Sequence, residues 1–430
     1  MNSMAGLRVL AISWALPGPG WLQEVVLKLA IAAMVILPFV SFVAMFSIWG
    51  ERKVSGHIHS RLGPMRTGGW HGWAQSLADG LKLIQKEDLL PAGADGVLFR
   101  LAPYLAFAPA LTAFLFLAWG RDLSGLTNTF NSGVFFLLAT LGVQVLGVIL
   151  AGWASNNKWS VYGAMREACQ MVSYEIPLGL AILTAIMVAG SMNLYEISLQ
   201  QGAGLHKWFV FHDPFNMLAF GLYYIAALAS CKRAPFDLPE SESELVAGYH
   251  TEYSGMRFSL FFFAEYASMF VVSAIQVSLW LGAWYDPFGV VARVEALRFH
   301  ADGSIAWKYM VTANALGAGL FITKTFLLVY VQMWLRWTLP RLRIDQVLHL
   351  GVKVLLPLAC VNLLAAAVYL WLTEPLPTFR FVVSVALAVV GVGLVMVIGA
   401  IIGMAWMRRE RSTFKVMFTS SREMPDLPGA

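Results

Sequence analysis

Charge is scarce in this chain. Of 430 residues, only 13% are Asp, Glu, Lys or Arg, about half the share usual in soluble proteins, and the mean hydropathy is +0.66. That excludes an ordinary water-soluble domain and reads as an integral membrane protein. Cysteine is scarcer still. Cys169, Cys231 and Cys360 stand apart with no CxxC pair, so neither a disulfide framework nor a zinc or iron–sulfur site is supported. The histidines lie in or beside expected loops rather than at span centres, which argues against a haem held between helices. Together these absences point to a chain without a redox centre of its own. No internal repeat or low-complexity tract is found. A cleavable signal peptide is not expected either, because the first strong apolar run starts near Val25 and is too long for a signal core.

What the chain does have is apolar runs of bilayer length. A hydrocarbon core of about 30 Å asks for roughly 20 helical residues per crossing. Nine runs qualify, near residues 25–48, 101–119, 134–154, 171–190, 215–231, 258–284, 309–333, 351–372 and 379–407. They lack the alternating pattern of barrel strands, so the expected fold is all-α, with about nine transmembrane helices, an amphipathic interfacial helix and cytoplasmic loops. One transmembrane domain over residues 1–407 is expected, with a disordered cytoplasmic tail at 408–430.

Lys and Arg set the orientation. With the N-terminus outside, the cytoplasmic connections at 49–98, 155–170, 232–257 and 334–350 and the tail carry 19 of the 30 basic residues, against seven on the opposite side. That bias predicts an external N-terminus and a cytoplasmic C-terminus. It also explains the net charge of +5 without invoking nucleic acid. In the first large connection, Trp70, Trp73, Leu77, Leu81 and Ile84 recur at steps of three and four. This predicts an amphipathic helix, either lying in the membrane interface or packed beneath a partner.

Charges inside spans cost at least about 2.5 kcal/mol on insertion scales, so each is a functional candidate. Lys324 sits near the middle of the seventh span, Glu175 about one turn into the fourth and Glu265 about two turns into the sixth. Lys28, near the start of the first, is expected to snorkel to the surface. Glu175 or Glu265 could pair with Lys324. A structural ion pair and a proton relay both remain open.

The stretch "RAPFDLPESESELVAGYHTEYSG", Arg233 to Gly255, gathers Asp237, Glu240, Glu242, Glu244 and Glu252, a fifth of all 25 acids. If helical, it would place Glu240 and Glu244 on one face behind Pro239. Interleaved Phe236, Leu238, Leu245, Val246 and Tyr249, with Arg233 and Arg257 at the ends, favour a docked loop over a solvated acidic surface. A second stretch, "ERKVSGHIHSRLGP", carries Glu51 and Arg61; a third, "SNNKWSVYGAMREACQMVSYE", places Arg166, Gln170 and Tyr174 on one helical face leading to Glu175. A fourth, "LRWTLPRLRIDQ", holds Arg336, Arg341 and Arg343, which positive-inside anchoring alone could explain.

These stretches, with "DGLKLIQKE", "FFFAEY" and "TKTFLL" in the same order, resemble one membrane-subunit family of the proton-pumping NADH:quinone oxidoreductase, respiratory complex I, the family known as ND-one in mitochondria, over roughly residues 25–370. The resemblance implies a membrane subunit of a bacterial inner membrane that forms much of a quinone chamber and links quinone reduction to proton movement. Its partners would be the peripheral quinone-site and iron–sulfur subunits and the small and antiporter-like membrane subunits. Quinone would be the substrate, with FMN and iron–sulfur clusters on partners and no cofactor on this chain. Family positions carried over to the chamber and its loop are Glu51, Arg61, Asp79, Arg233, Asp237, Glu240, Glu242, Glu244 and Glu252, and to the proton path Glu175, Glu265, Lys324 and Arg166.

The chain also departs from that pattern. Ser230, Cys231 and Lys232 stand where the family usually reads Glu-Thr-Asn, and Glu167 stands where it has a small or apolar residue. One acid of the polar path is thus missing, and Glu167 or bound water could supply its function. His59 and Met65 replace a usual Gln and Asn. Competing readings are the matching subunit of a membrane-bound hydrogenase, a secondary cation antiporter and a structural anchor. An antiporter would be expected to show inverted repeats.

Overall fold

The computed structural model describes residues 20–122, 131–202, 204–297, 307–394, 396–397 and 400, without the side chains of 20–33, Glu242 and Ser243. The 408–430 tail and the last part of the expected ninth span lie outside the described residues, as does the side chain of Lys28. Among the described residues every regular element is helical.

In chain order the helices are α1 Gly20–Ile58, α2 Gln75–Gln85, α3 Gly96–Leu115, α4 Gly133–Ala154, α5 Lys158–Ala189, α6 Leu194–Gln201, α7 Phe209–His212 and α8 Pro214–Ser230. They continue with α9 Glu242–Leu245, α10 Gly255–Trp280, α11 Val290–Ala296, α12 Trp307–Thr338, α13 Ile344–Leu348 and α14 Leu356–Thr373, and end with α15 Pro377–Leu394. A π-helical stretch, His349–Leu355, joins α13 to α14 into one span.

Eight of these spans are long and apolar enough to cross a membrane. The chain is therefore a multi-pass, all-α membrane protein. The expected fifth crossing is α8, apolar but only 17 residues, or about 26 Å at 1.5 Å per residue. It is held at its start by Asp213, whose carboxylate accepts the Asn216 amide, with Pro214 in the first turn.

α10 is the central helix. Every residue from Ala264 to Trp280 is buried, because α1, α3, α8 and α12 all pack against it. A helix enclosed on all sides is apolar all round, which makes the polar exceptions on it, Glu265 above all, informative. The outer helices bury one stripe and turn residues such as Phe135, Val172, Leu327 and Leu364 outward, as a lipid-facing surface requires.

Several helices outrun their apolar segments. α1 continues to Ile58 and so carries Glu51 and Arg52 on the helix rather than in a loop. The stretch 155–170, expected as a connection, contains the first turns of α5, which runs 32 residues from an Asn157 cap. Hydropathy reports only the lipid-buried part of a helix; once other protein surrounds it, polar residues continue it at little cost. The amphipathic helix is shorter than expected. It begins at Gln75, leaving Trp70 in a separate 3-10 turn and Trp73 between the two.

The 233–255 segment is mostly loop, so the helical placement of Glu240 and Glu244 on one face behind Pro239 is not realised. Only Glu242–Leu245 forms a turn of α9, and a 3-10 turn follows at Gly248–His250. Two glycines let it fold on itself and lie against α5. A Cβ at Gly163 would come within 2.8 Å of the Tyr249 amide nitrogen, and Gly248, at φ +55°, would drive a Cβ into the Pro239 carbonyl.

Candidate functional site

Four elements bring charge to one buried point. Glu51 arrives on α1, Arg233 just after α8, Glu265 and Tyr266 on α10, and Arg336 in the last turn of α12. Arg233, 2% exposed, sets its guanidinium between two carboxylates. One terminal nitrogen donates to both oxygens of Glu51 at 3.1 and 2.9 Å, and Nε lies 2.6 Å from Glu265 Oε1. Arg336 donates to Glu51 Oε1 at 2.5 Å. Tyr266 donates its hydroxyl to Glu51 Oε2 at 2.7 Å and offers its ring face to Arg233 at 4.4 Å. Two acids and two arginines balance each other, which is how a low-dielectric site holds ions.

The acidic segment is pinned from several directions. Arg341 donates to Asp237 Oδ2 at 3.1 Å. Tyr249 and His250 both meet Glu240 Oε1, at 2.8 and 2.9 Å. Arg166 reaches Glu244 at 2.6 Å and the Ser241 hydroxyl at 3.0 Å, and Asn157 donates to Glu252 at 2.5 Å. Gln170, on the α5 face that also carries Tyr174, donates to the carbonyls of Ala229 and Phe236 at 2.8 and 2.9 Å. The loop is therefore docked along α5, as its mixed composition suggested.

Docking drives its two innermost acids apart. Burial pushes the Asp237 carboxyl up to about 6, with the neighbouring Glu240 charge adding to the effect and Arg341 opposing it. Glu240 is buried too, but His250, Tyr249 and the Lys232 charge outweigh that burial and hold it down to about 2. At neutral pH Glu240 is a fixed charge, whereas Asp237 can exchange a proton.

Other expected residues lie outside this group. Asp79 on α2 pairs with Arg52 at 2.5 Å, and Arg61 is exposed. Glu175 is exposed on α5 near Gly142, with no hydrogen-bond partner among the described residues. The side chain of Glu242 lies outside them. Neither carboxylate expected beside Lys324 is its partner. Its ammonium instead donates to three carbonyls, Leu281 at 2.7 Å, Ala283 at 3.0 Å and Tyr285 at 2.7 Å, and sits 4.2 Å from the Trp208 ring centroid. Those carbonyls belong to irregular chain just past α10, where helix-end acceptors have no intrahelical donor.

Sequence reasoning missed two arrangements. Arg336 was attributable to anchoring, yet it completes the Glu51 clamp. Lys232 lies 3.3 Å from Glu167, with both buried. Each had stood out as unusual by itself; the signal that could have joined them was that two opposite charges appear together where uncharged residues are usual. His59 lies against the Trp337 ring at 5.3 Å, and the Met65 sulfur meets Lys53 Nζ at 3.0 Å.

A family model described as NADH dehydrogenase matches residues 30–367. The H-type subunit of the NADH-quinone oxidoreductase of Chlorobium luteolum is 44% identical over 347 residues, covering 80% of this chain and 90% of its own. The protein of the same description from Anaeromyxobacter dehalogenans is 39% identical over 384 residues, covering 89% and 90%. An H-type subunit of the NADH-quinone oxidoreductase of Geobacter sulfurreducens is 39% identical over 353 residues, covering 78% and 92%.

Proposed function

Because the chain belongs to the NADH dehydrogenase family and is a membrane subunit of NADH-quinone oxidoreductase, we propose that it walls a quinone chamber and couples quinone reduction to proton translocation. The observation that carries this reading is the Arg233 clamp, which ties Glu51 and Glu265 to the base of the docked acidic loop. Quinone reduction consumes two protons and redistributes charge. A buried network of ions beside an exchangeable carboxyl, Asp237, can answer both.

In this reading the chamber wall is formed by the end of α1 with Glu51, by the turn after it with Arg61, by α2 with Asp79, and by the segment carrying Arg233, Asp237, Glu240, Glu242, Glu244 and Glu252. Arg166 fastens that segment to α5 through Glu244. Glu265 and the exposed Glu175 carry protons toward neighbouring membrane subunits. Lys324 stands apart from them, and its three carbonyl contacts suit holding the 281–285 chain at membrane depth.

Electrons would reach quinone from FMN and iron–sulfur clusters on peripheral partners roofing the chamber. The small and antiporter-like membrane subunits would adjoin the outward helices. The complex would sit in the bacterial inner membrane, with this chain's N-terminus periplasmic, its C-terminus cytoplasmic and a single membrane domain over 1–407. A photoreactive quinone analogue tests the reading: labelling of the 233–255 segment and the end of α1 supports it, and labelling confined to other subunits rejects it.

A further inference from the structure

We propose that Glu167 and Lys232 form a proton-relay site that exchanges a proton with Glu265, an inference that rests on the coupling role above. Glu167 is 0% exposed, and among the described residues its carboxylate oxygens have no hydrogen-bond donor beyond the Lys232 ion pair. A group that costly to bury is expected to have its acceptor capacity filled. Its nearest cation is Lys232, whose ammonium lies 3.3 Å from Oε1. Lys232 holds φ +55°, a left-handed conformation uncommon for a residue with a Cβ. It directs the side chain inward, where it is 6% exposed.

Lys232 also lines a cavity. Gln144, Ser230, Lys232, Tyr249, Glu265 and Ser268 are among its lining residues, and its free space suits about one water molecule with several polar partners. Glu265, bound to Arg233, thus shares the cavity wall with Lys232. On its other side Lys232 lies 5.5 Å from the Tyr249 ring centroid, and the Tyr249 hydroxyl donates to Glu240. Lys232 therefore stands at the junction of three carboxylates.

The chemistry is proton transfer alone. The Lys232 ammonium first gives a proton to the Glu167 carboxylate, the cavity water replaces it on the resulting amine, and the Glu265 carboxyl restores the proton to the water. The pair then holds one proton more, as an ammonium beside a neutral carboxyl, and returns it by the reverse steps; only N–H and O–H bonds change.

The decisive variant is the double substitution Glu167→Gln with Lys232→Met in the assembled complex. It removes both charges together, so no unpaired ion is left behind. The relay predicts that NADH oxidation by an artificial acceptor is retained while proton translocation per electron falls. A purely structural pair predicts that the double variant translocates as the parent does, and that result overturns the proposal. Should the double variant not assemble, Glu167→Asp keeps the acid and the pair. Infrared difference spectra of quinone reduction must then show a carboxyl band that this substitution shifts; a spectrum insensitive to it overturns the proposal equally. Parent complex unable to reduce quinone would instead sink the function on which the relay rests.

Discussion

Arg233 and Glu51 meet through two hydrogen bonds, at 2.9 and 3.1 Å, in a place where both are buried. The same guanidinium also faces Glu265 at 2.6 Å, so one side chain neutralises carboxylates delivered by two different helices. Arg233→Met would leave Glu265 buried without its cation and Glu51 with Arg336 alone. Breaking a buried pair on one side costs about 3–5 kcal/mol, and the expected outcome is little assembled complex on a native gel. Arg233→Lys keeps a charge but cannot span two carboxylates with a planar fork. It should assemble in part and reduce quinone more slowly, while electron transfer from NADH to an artificial acceptor persists.

Glu244 is half exposed although it pairs with Arg166 at 2.6 Å. Exposed pairs contribute about 0–1 kcal/mol, so Glu244→Gln is expected to assemble normally. Its effect should appear as slower quinone reduction with NADH oxidation by an artificial acceptor unchanged. Equal loss of both activities would show that the substitution damages assembly instead.

Asp237 supplies the pH signature. Its carboxyl, pushed up to about 6, is mostly neutral below that pH and mostly charged above it. Where its neutral form delivers a proton, quinone reduction declines as pH rises through this region. Glu240 raises this carboxyl through its negative charge and Arg341 lowers it. Glu240→Gln should therefore move the inflection to lower pH, and Arg341→Ala to higher pH. A pH profile of quinone reduction checks both directions, and unmoved inflections would remove Asp237 from the proton-exchanging role.

Lys324→Met would orphan three carbonyls that now share one ammonium. Unsatisfied buried acceptors cost about 1–3 kcal/mol each, so the complex should lose activity faster on heating. The molecules that survive are expected to translocate protons per electron as the parent does. A reduced ratio would place Lys324 in the proton path itself.

The apolar runs were legible because a bilayer demands contiguous hydropathy, and among the described residues each expected span has a helix behind it, although α8 is shorter than the others and the end of the ninth span lies outside them. The ends of α1 and α5 were not, since a helix that leaves lipid for a protein partner carries no hydropathy mark. The candidate acids were legible as exceptions in an apolar chain. Their partners were not. Glu51 and Arg233 lie far apart in sequence and meet only because α1 and α8 both pack on α10. Glu167 and Lys232 each looked anomalous, but the packing of α5 on α8 was needed to pair them. The carbonyls around Lys324 left no trace at all, because backbone acceptors have no side-chain signature.

The central claim is that the 233–255 segment and the end of α1 wall a quinone chamber. A density map of the assembled complex with a quinone-site inhibitor bound tests it most directly. The account predicts a quinone-sized cavity roofed by peripheral partners, with the inhibitor against this segment and Glu51 and Arg233 in its wall. A solid protein interface over the segment, with the inhibitor held elsewhere, would contradict it.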